Sequence, residues 1–216
     1  HILFKEQKYL LNFKESITRT SKTSGFLNNR KKVEDISSYK KGHWWIQDYS
    51  SSFALNNIDE SLINKSCLDM CAAPGGKSFQ ILSRGKKLVL NDNSIKRLEK
   101  LKENLRRLNL KAKILNQDFR NLKNDYKYDF IILDAPCSSV GTIRKNPEIF
   151  YKNKEPNFNN LLKIQKLMLQ KAASILNNNG IILYMVCSFL KIETLDQIDF
   201  FLNQYKNFFL YNFNLD

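Results

Sequence analysis

The chain has 216 residues, 43% of them hydrophobic, which allows one domain with a sizeable core, with or without a small appendage, and excludes two large domains. Lys and Arg number 35 against 21 Asp and Glu, and the resulting formal charge of +14 concentrates polyanions near the surface, making nucleic acid the leading partner. The four cysteines form no C-x-x-C pair, no apolar run approaches the roughly 18 residues of a membrane helix, and no secretion-signal pattern opens the chain, so no metal site, no membrane span and a cytoplasmic protein with reduced thiols are expected.

Residues 1–65 are polar and lack clean periodicity, and they carry Arg30-Lys31-Lys32 and then Gly42-His43-Trp44-Trp45. Residues 1–41 read as a basic accessory region, a remnant of a small RNA-binding domain, and residues 42–216 as the main domain. The tandem Trp favours burial over base stacking, because large aromatics contribute most by burial. The chain opens on His1 rather than Met, which fits a trimmed longer protein and processing equally.

From residue 66 onward, short β-rich runs alternate with helix-like runs, the pattern of a parallel sheet flanked by helices. Strands are expected at 66–71, 87–91, 112–115, 128–133 and 181–186. The first is followed by a Pro-Gly-Gly turn and a short helix from near Lys77. Asn93 or Ser94 caps a helix whose Ile95, Leu98, Leu101, Leu105 and Leu108 recur at steps of three and four and define a buried face, opposite a basic face with Lys96, Arg97, Lys100, Lys102, Arg106 and Arg107. A helix through Leu161, Ile164, Leu167, Met168 and Ala172 is expected to stop at Asn179-Gly180. A final helix through Ile192, Leu195 and Ile198 precedes an expected aromatic strand at 208–213.

Ligands of open α/β sheets sit at the carboxyl ends of the strands, where Asp69, Asp92, Asp118, Asp134, Cys71 and Cys187 fall. The loop Cys71-Ala72-Ala73-Pro74-Gly75-Gly76-Lys77 is built of small residues, so a ligand can approach its backbone. Asp92 stands where a carboxylate accepts from ribose hydroxyls, and Asp118, one strand later, faces an adenine amino group in this reading. The loop lacks G-x-G-x-x-G spacing, which favours a nucleoside with a small charged tail over a pyrophosphate; S-adenosylmethionine has that shape. Asp134-Ala135-Pro136-Cys137 holds a carboxylate and a thiol at one strand end, and Cys187 supplies a second thiol at the next. Carbon 5 of cytosine becomes nucleophilic once a thiolate adds at carbon 6, a reaction that also needs an acid and a base. Cys187, Asp134 and Cys137 are the candidates for these roles, with Lys77 or the sulfonium lowering the thiol pKa.

Asp69 to Lys77 and the run Asp134-Ala135-Pro136-Cys137 through Gly141-Thr142-Ile143-Arg144-Lys145-Asn146-Pro147-Glu148, supported by Gln47-Asp48 and Val186-Cys187-Ser188, resemble the Sun-type family of RNA cytosine-5 methyltransferases. The resemblance covers about residues 42 to 205. It implies a Rossmann-like class I S-adenosylmethionine-dependent methyltransferase fold with a mostly parallel, doubly wound sheet, residues 42–216 being the catalytic domain. It also implies that the Cys71 to Lys77 loop, Asp92, Asp118 and Asp134 hold the cofactor or orient the base, that Cys187 forms the covalent link and that Cys137 assists release. Val186 and Thr194 replace the family's usual Thr and Asn. The terminal hairpin with its Asp-Gly-Phe-Phe-like strand is missing up to Asp216, so an incomplete hairpin is expected. RNA is the implied substrate, ribosomal RNA ahead of transfer RNA, and a monomer is the expected state. The competing expectation is a catalytically silent RNA-binding or assembly protein on the same fold.

Overall fold

A computed structural model of the chain describes residues 1–63, 66–151 and 155–211, apart from the Phe150 side chain. Its strands are β1 (Ile2–Phe4), β2 (Ile17–Ser21), β3 (Ser24–Leu27), β4 (Trp44–Ile46), β5 (Cys67–Asp69), β6 (Val89–Asn91), β7 (Lys113–Leu115), β8 (Tyr128–Asp134) and β9 (Leu176–Met185). The helices are α1 (Gln7–Leu11), α2 (Tyr49–Asn57), α3 (Gly76–Leu82), α4 (Ile95–Leu108), α5 (Phe158–Ser174) and α6 (Leu195–Gln204). The chain divides into two compact units, His1–Asn64 with Ala72–Asn116, and Lys65–Cys71 with Gln117–Asp216.

In the first unit, the segment without legible periodicity folds as a four-stranded antiparallel sheet in the order β2-β3-β1-β4. Its strands are too short to display alternation, and its core draws Ile2, Phe4, Leu10, Ile36 and Trp44 from scattered positions. Trp44 and Trp45 are both buried, Trp44 donating to the Ser37 carbonyl at 2.8 Å and Trp45 to the Gln47 side chain at 2.9 Å, which is the packing role. Helix α4 is capped by Ser94, whose hydroxyl accepts from the Arg97 amide, and ends on Asn109 in the left-handed region at φ 50°. Leu98, Leu101, Leu105 and Leu108 are buried as the periodicity requires, but Ile95 is 66% exposed. It is the first helical residue and overhangs the packed face. The carboxyl end of α4 is held by the amino-terminal segment: Lys5 Nζ donates to the Leu108 carbonyl at 2.6 Å, and Arg107 donates to the Tyr39 and Trp44 carbonyls at 3.1 and 3.0 Å. After α4, β7 pairs in parallel with β6 in the register Val89↔Lys113 to Asn91↔Leu115.

In the second unit, β5 pairs in parallel with β8, which pairs in parallel with β9. Phe130, Ile131, Ile132 and Leu133 are fully buried, the continuous apolar run of a strand covered on both faces. The structure corrects four expectations here. Helix α5 stops at Ser174 rather than at Asn179-Gly180, and β9 already begins at Leu176. The reason is tertiary: Tyr128 pairs with Leu176 but Phe130 with Ile181, so Asn177 to Gly180 are accommodated as an irregularity within the strand pairing, with Asn179 at φ 61°. The inner face of α5 is Gln165, Met168, Leu169 and Ala172, while Leu167 is 38% exposed. Likewise Ile192 and Leu195 are exposed, because residues 191–193 form a separate short turn and α6 starts only at Leu195. Residues 208–211 are not a strand; Phe208 N donates back to the Tyr205 carbonyl at 3.0 Å and its ring packs on Phe201. Residues 212 and 213 of that expected strand lie outside the described residues.

Candidate active site

The small-residue loop follows β5 and leads into α3. In the first unit, Ala72 and Ala73 are buried, Ala73-Pro74 is a cis peptide, and Gly75 sits at φ +116° with the Phe79 ring 2.1 Å from where a Cβ would stand. That position admits glycine alone. Gly76 passes under Gln47, which is held by a buried amide chain: Gln47 donates to Gln80 at 2.8 Å, and Gln80 donates to the Ser52 carbonyl and the Asn56 side chain at 3.0 and 2.9 Å. The carboxyl end of β6 meets this loop. Asp92, buried, accepts from the Ala73 amide at 3.2 Å and the Ser94 amide at 3.0 Å, and pairs with Arg97 at 3.4 Å. Arg97 also donates to the Ala73 carbonyl. Lys77 is half-buried in the first turn of α3. The donor set of this unit, a loop without bulky side chains beside a fixed carboxylate, suits a nucleoside with a charged tail.

The second unit carries the other predicted residues. Asp69 is the last residue of β5 and is buried; it accepts from the Cys71 amide at 3.3 Å. Asp118 lies three residues beyond β7 rather than at its end, and it caps a short helical turn. The Arg120 guanidinium grips both its oxygens, at 2.8 and 2.6 Å, and holds its pKa down to about 2. Asp134 ends β8, paired with Met185 in β9.

That register explains the thiol pair. Cys137 and Cys187 leave paired strand ends a few residues downstream, and their sulfurs stand 3.2 Å apart. This is hydrogen-bond contact, well beyond the ~2.05 Å of a disulfide, and neither cysteine is in one. Cys187 is exposed and Cys137 is partly buried. The Cys187 sulfur and burial together push the Cys137 thiol far above its ordinary range, so Cys137 keeps its proton at neutral pH. The Cys187 thiol also reaches Ser139 Oγ at 3.2 Å, and its carbonyl accepts from the Gly141 amide at 3.0 Å. A Cβ on Gly141 would stand 2.9 Å from that carbonyl oxygen, which accounts for glycine in the turn.

The sequence assigned no role to Glu193, Ser138, Ser139 or Ser188. The one signal for Glu193 was a carboxylate a few residues after the second thiol, and its burial could be read only from the fold.

The sequence family described as 16S rRNA methyltransferase RsmB/F matches residues 54–216. The ribosomal RNA small subunit methyltransferase B of Shewanella oneidensis is 36% identical over 177 residues, which are 80% of this chain and 41% of the relative, and that of Vibrio vulnificus is 34% identical over 178 residues, 79% and 41%. The chain thus spans about 41% of the length of these curated relatives. Among solved structures, the protein PH0851 superposes with a TM-score of 0.82 at 26% identity, covering 94% of this chain and 49% of that one. A methyltransferase homolog from Pyrococcus horikoshii gives a TM-score of 0.75 at 22% identity, covering 94% and 68%. These likenesses show a Rossmann-like α/β fold.

Proposed function

Since this chain belongs to the 16S rRNA methyltransferase RsmB/F family, we propose that it transfers a methyl group from S-adenosylmethionine to carbon 5 of a cytosine in RNA, through a covalent bond to Cys187. The observation that carries this reading is the 3.2 Å contact between Cys137 and Cys187. Two thiols within one hydrogen bond, one exposed and one kept protonated, are what a nucleophile and a separate proton-handling group require. A structural role would need neither.

S-adenosylmethionine supplies the electrophilic methyl on its sulfonium. The Ala72 to Gly76 backbone holds its charged tail in this reading, with Cys71 and Lys77 flanking it; Asp92 takes the ribose hydroxyls, and Asp118 takes the adenine amino group. The Cys187 thiolate adds to carbon 6 of the base, while Asp134 is the hydrogen-bonding partner of the ring. After carbon 5 is methylated, its proton is removed and the Cys187–carbon 6 bond breaks, returning the electron pair to sulfur; Cys137 assists this release. Residues 42–216 are assigned to catalysis and 1–41 to an accessory RNA-contacting role. Ribosomal RNA is the proposed substrate, by extension from the named relatives, and the protein is proposed to act as a cytoplasmic monomer. Among the described residues no helix is long and apolar enough to cross a membrane.

The test is a trap with RNA containing 5-azacytidine, read on a denaturing gel. We expect Cys187→Ala to abolish the protein–RNA adduct and Cys137→Ala to let it accumulate because release is slowed. The reverse pattern would exchange the two roles. No adduct from the unaltered chain with azacytidine-containing RNA of ribosomal sequence would favour a silent RNA-binding protein on the same fold.

A further inference from the structure

Glu193 is fully buried, and the chemistry above gives it no task. It closes the short helical turn Lys191–Glu193, downstream of Cys187. Its carboxylate accepts from the Ser138 amide at 2.8 Å, the Ser138 hydroxyl at 2.5 Å and the Gln165 side-chain amide at 3.1 Å. Ser138 directly follows Cys137, and Ser188 directly follows Cys187. The carboxylate therefore grips the residue next to one thiol and reaches the residue next to the other through Ser138, whose hydroxyl lies 3.4 Å from that of Ser188. Burial raises the pKa of Glu193, but the hydroxyl and amide donors outweigh it and leave the group below its ordinary value, hence ionised at neutral pH. A buried charge satisfied by donors from separate chain segments is poor stabilisation and good registration, because its partners lose most if any of them moves away.

We propose that Glu193 is a positioning residue that sets the Cys137–Cys187 spacing by clamping Ser138, which in turn meets Ser188, so that the two sulfurs stay in hydrogen-bond contact. The proposal rests on the assignment of both thiols to the reaction. Release of the clamp frees the Cys137 turn, the sulfur–sulfur hydrogen bond opens, and the Cys187 thiolate loses the donor that stabilises it.

The experiment follows alkylation of Cys187 by iodoacetamide as a function of pH, read by peptide mass spectrometry on the full chain without RNA or cofactor. With Glu193 present, Cys137→Ala should raise the pH midpoint for Cys187 by about one unit, the tenfold loss of ionisation expected when a thiolate loses a hydrogen-bond donor. In a Glu193→Ala background the same replacement should move the midpoint by less than about 0.3 unit, since the contact is already gone. Glu193→Gln should keep most of the coupling, because an amide oxygen still accepts from the Ser138 amide. Circular dichroism reports whether each variant folds. Should Glu193→Ala not fold, Ser138→Ala, which removes only the hydroxyl bond, should give a reduced coupling. Full coupling in a folded Glu193→Ala chain, or in Ser138→Ala, overturns the clamp, as does the lack of any Cys137 effect in the native chain. An intact coupling with no adduct on azacytidine RNA would sink the assignment of the thiols to the reaction and leave the clamp standing.

Discussion

Single residues in the second unit owe their state to what lies across a strand pair. Cys187 and Cys137 are 50 positions apart in the chain, and only the parallel register of β8 and β9 turns them into neighbours. Glu193 brings a pH dependence with it. Its folded pKa is depressed, so its contribution to stability is present above the ordinary glutamate value of about 4.3 and is lost as the pH falls through the folded value. Glu193→Gln removes that titration. Urea unfolding at pH 6 and at about pH 3.5 should therefore show a smaller acid loss in the variant than in the native chain, after allowance for the carboxylates common to both. Asp118 behaves in the same sense, its Arg120 partner holding its pKa to about 2, so the window of loss for that pair lies between its unfolded value near 3.8 and the folded one.

At the scale of elements, α4 shows how a legible helix acquires an illegible anchor. Its periodicity and its Ser94 cap are written in the chain, whereas its docking depends on Gly42, whose φ is +66° and whose missing Cβ leaves room for the Arg107 carbonyl at 1.7 Å from the Cβ position. Gly42→Ala is both strained and obstructed. It should cost at least about 2 kcal/mol in urea unfolding, the range for backbone strain combined with overpacking. Little effect would mean that the amino-terminal sheet does not depend on its contact with the α4 carboxyl end. By contrast, Gly85 at φ +75° meets nothing within 4 Å, so Gly85→Ala provides the comparison in which strain acts without obstruction.

For the whole molecule, charge governs association. The +14 balance includes the exposed face of α4, where Lys96, Arg97, Lys100, Lys102 and Arg106 point away from the buried leucines. RNA binding in the proposed function should weaken at least about tenfold between roughly 50 and 200 mM salt, as neutralisation of a few phosphates requires. Fluorescence anisotropy with a labelled RNA measures this. A flat response would place recognition in contacts other than the basic surface.

The sequence by itself determined the order of alternating strands and helices from residue 66, the small-residue loop with Gly75, the cap and buried face of α4, and the family, because each is a local pattern or a contiguous motif. Tertiary structure decided the rest. The antiparallel sheet of residues 2–46 has strands too short for a period to register, and it closes through pairings between distant segments. The early end of α5 follows from the pairing of Leu176 with Tyr128, which overrides the stop signal at Asn179-Gly180. Leu167 and Leu195 face outward because helix phase depends on where each helix docks. The burial of Glu193 against Ser138 and Gln165 joins three separate segments, and a charged residue read along the chain is taken as exposed until the fold supplies its partners.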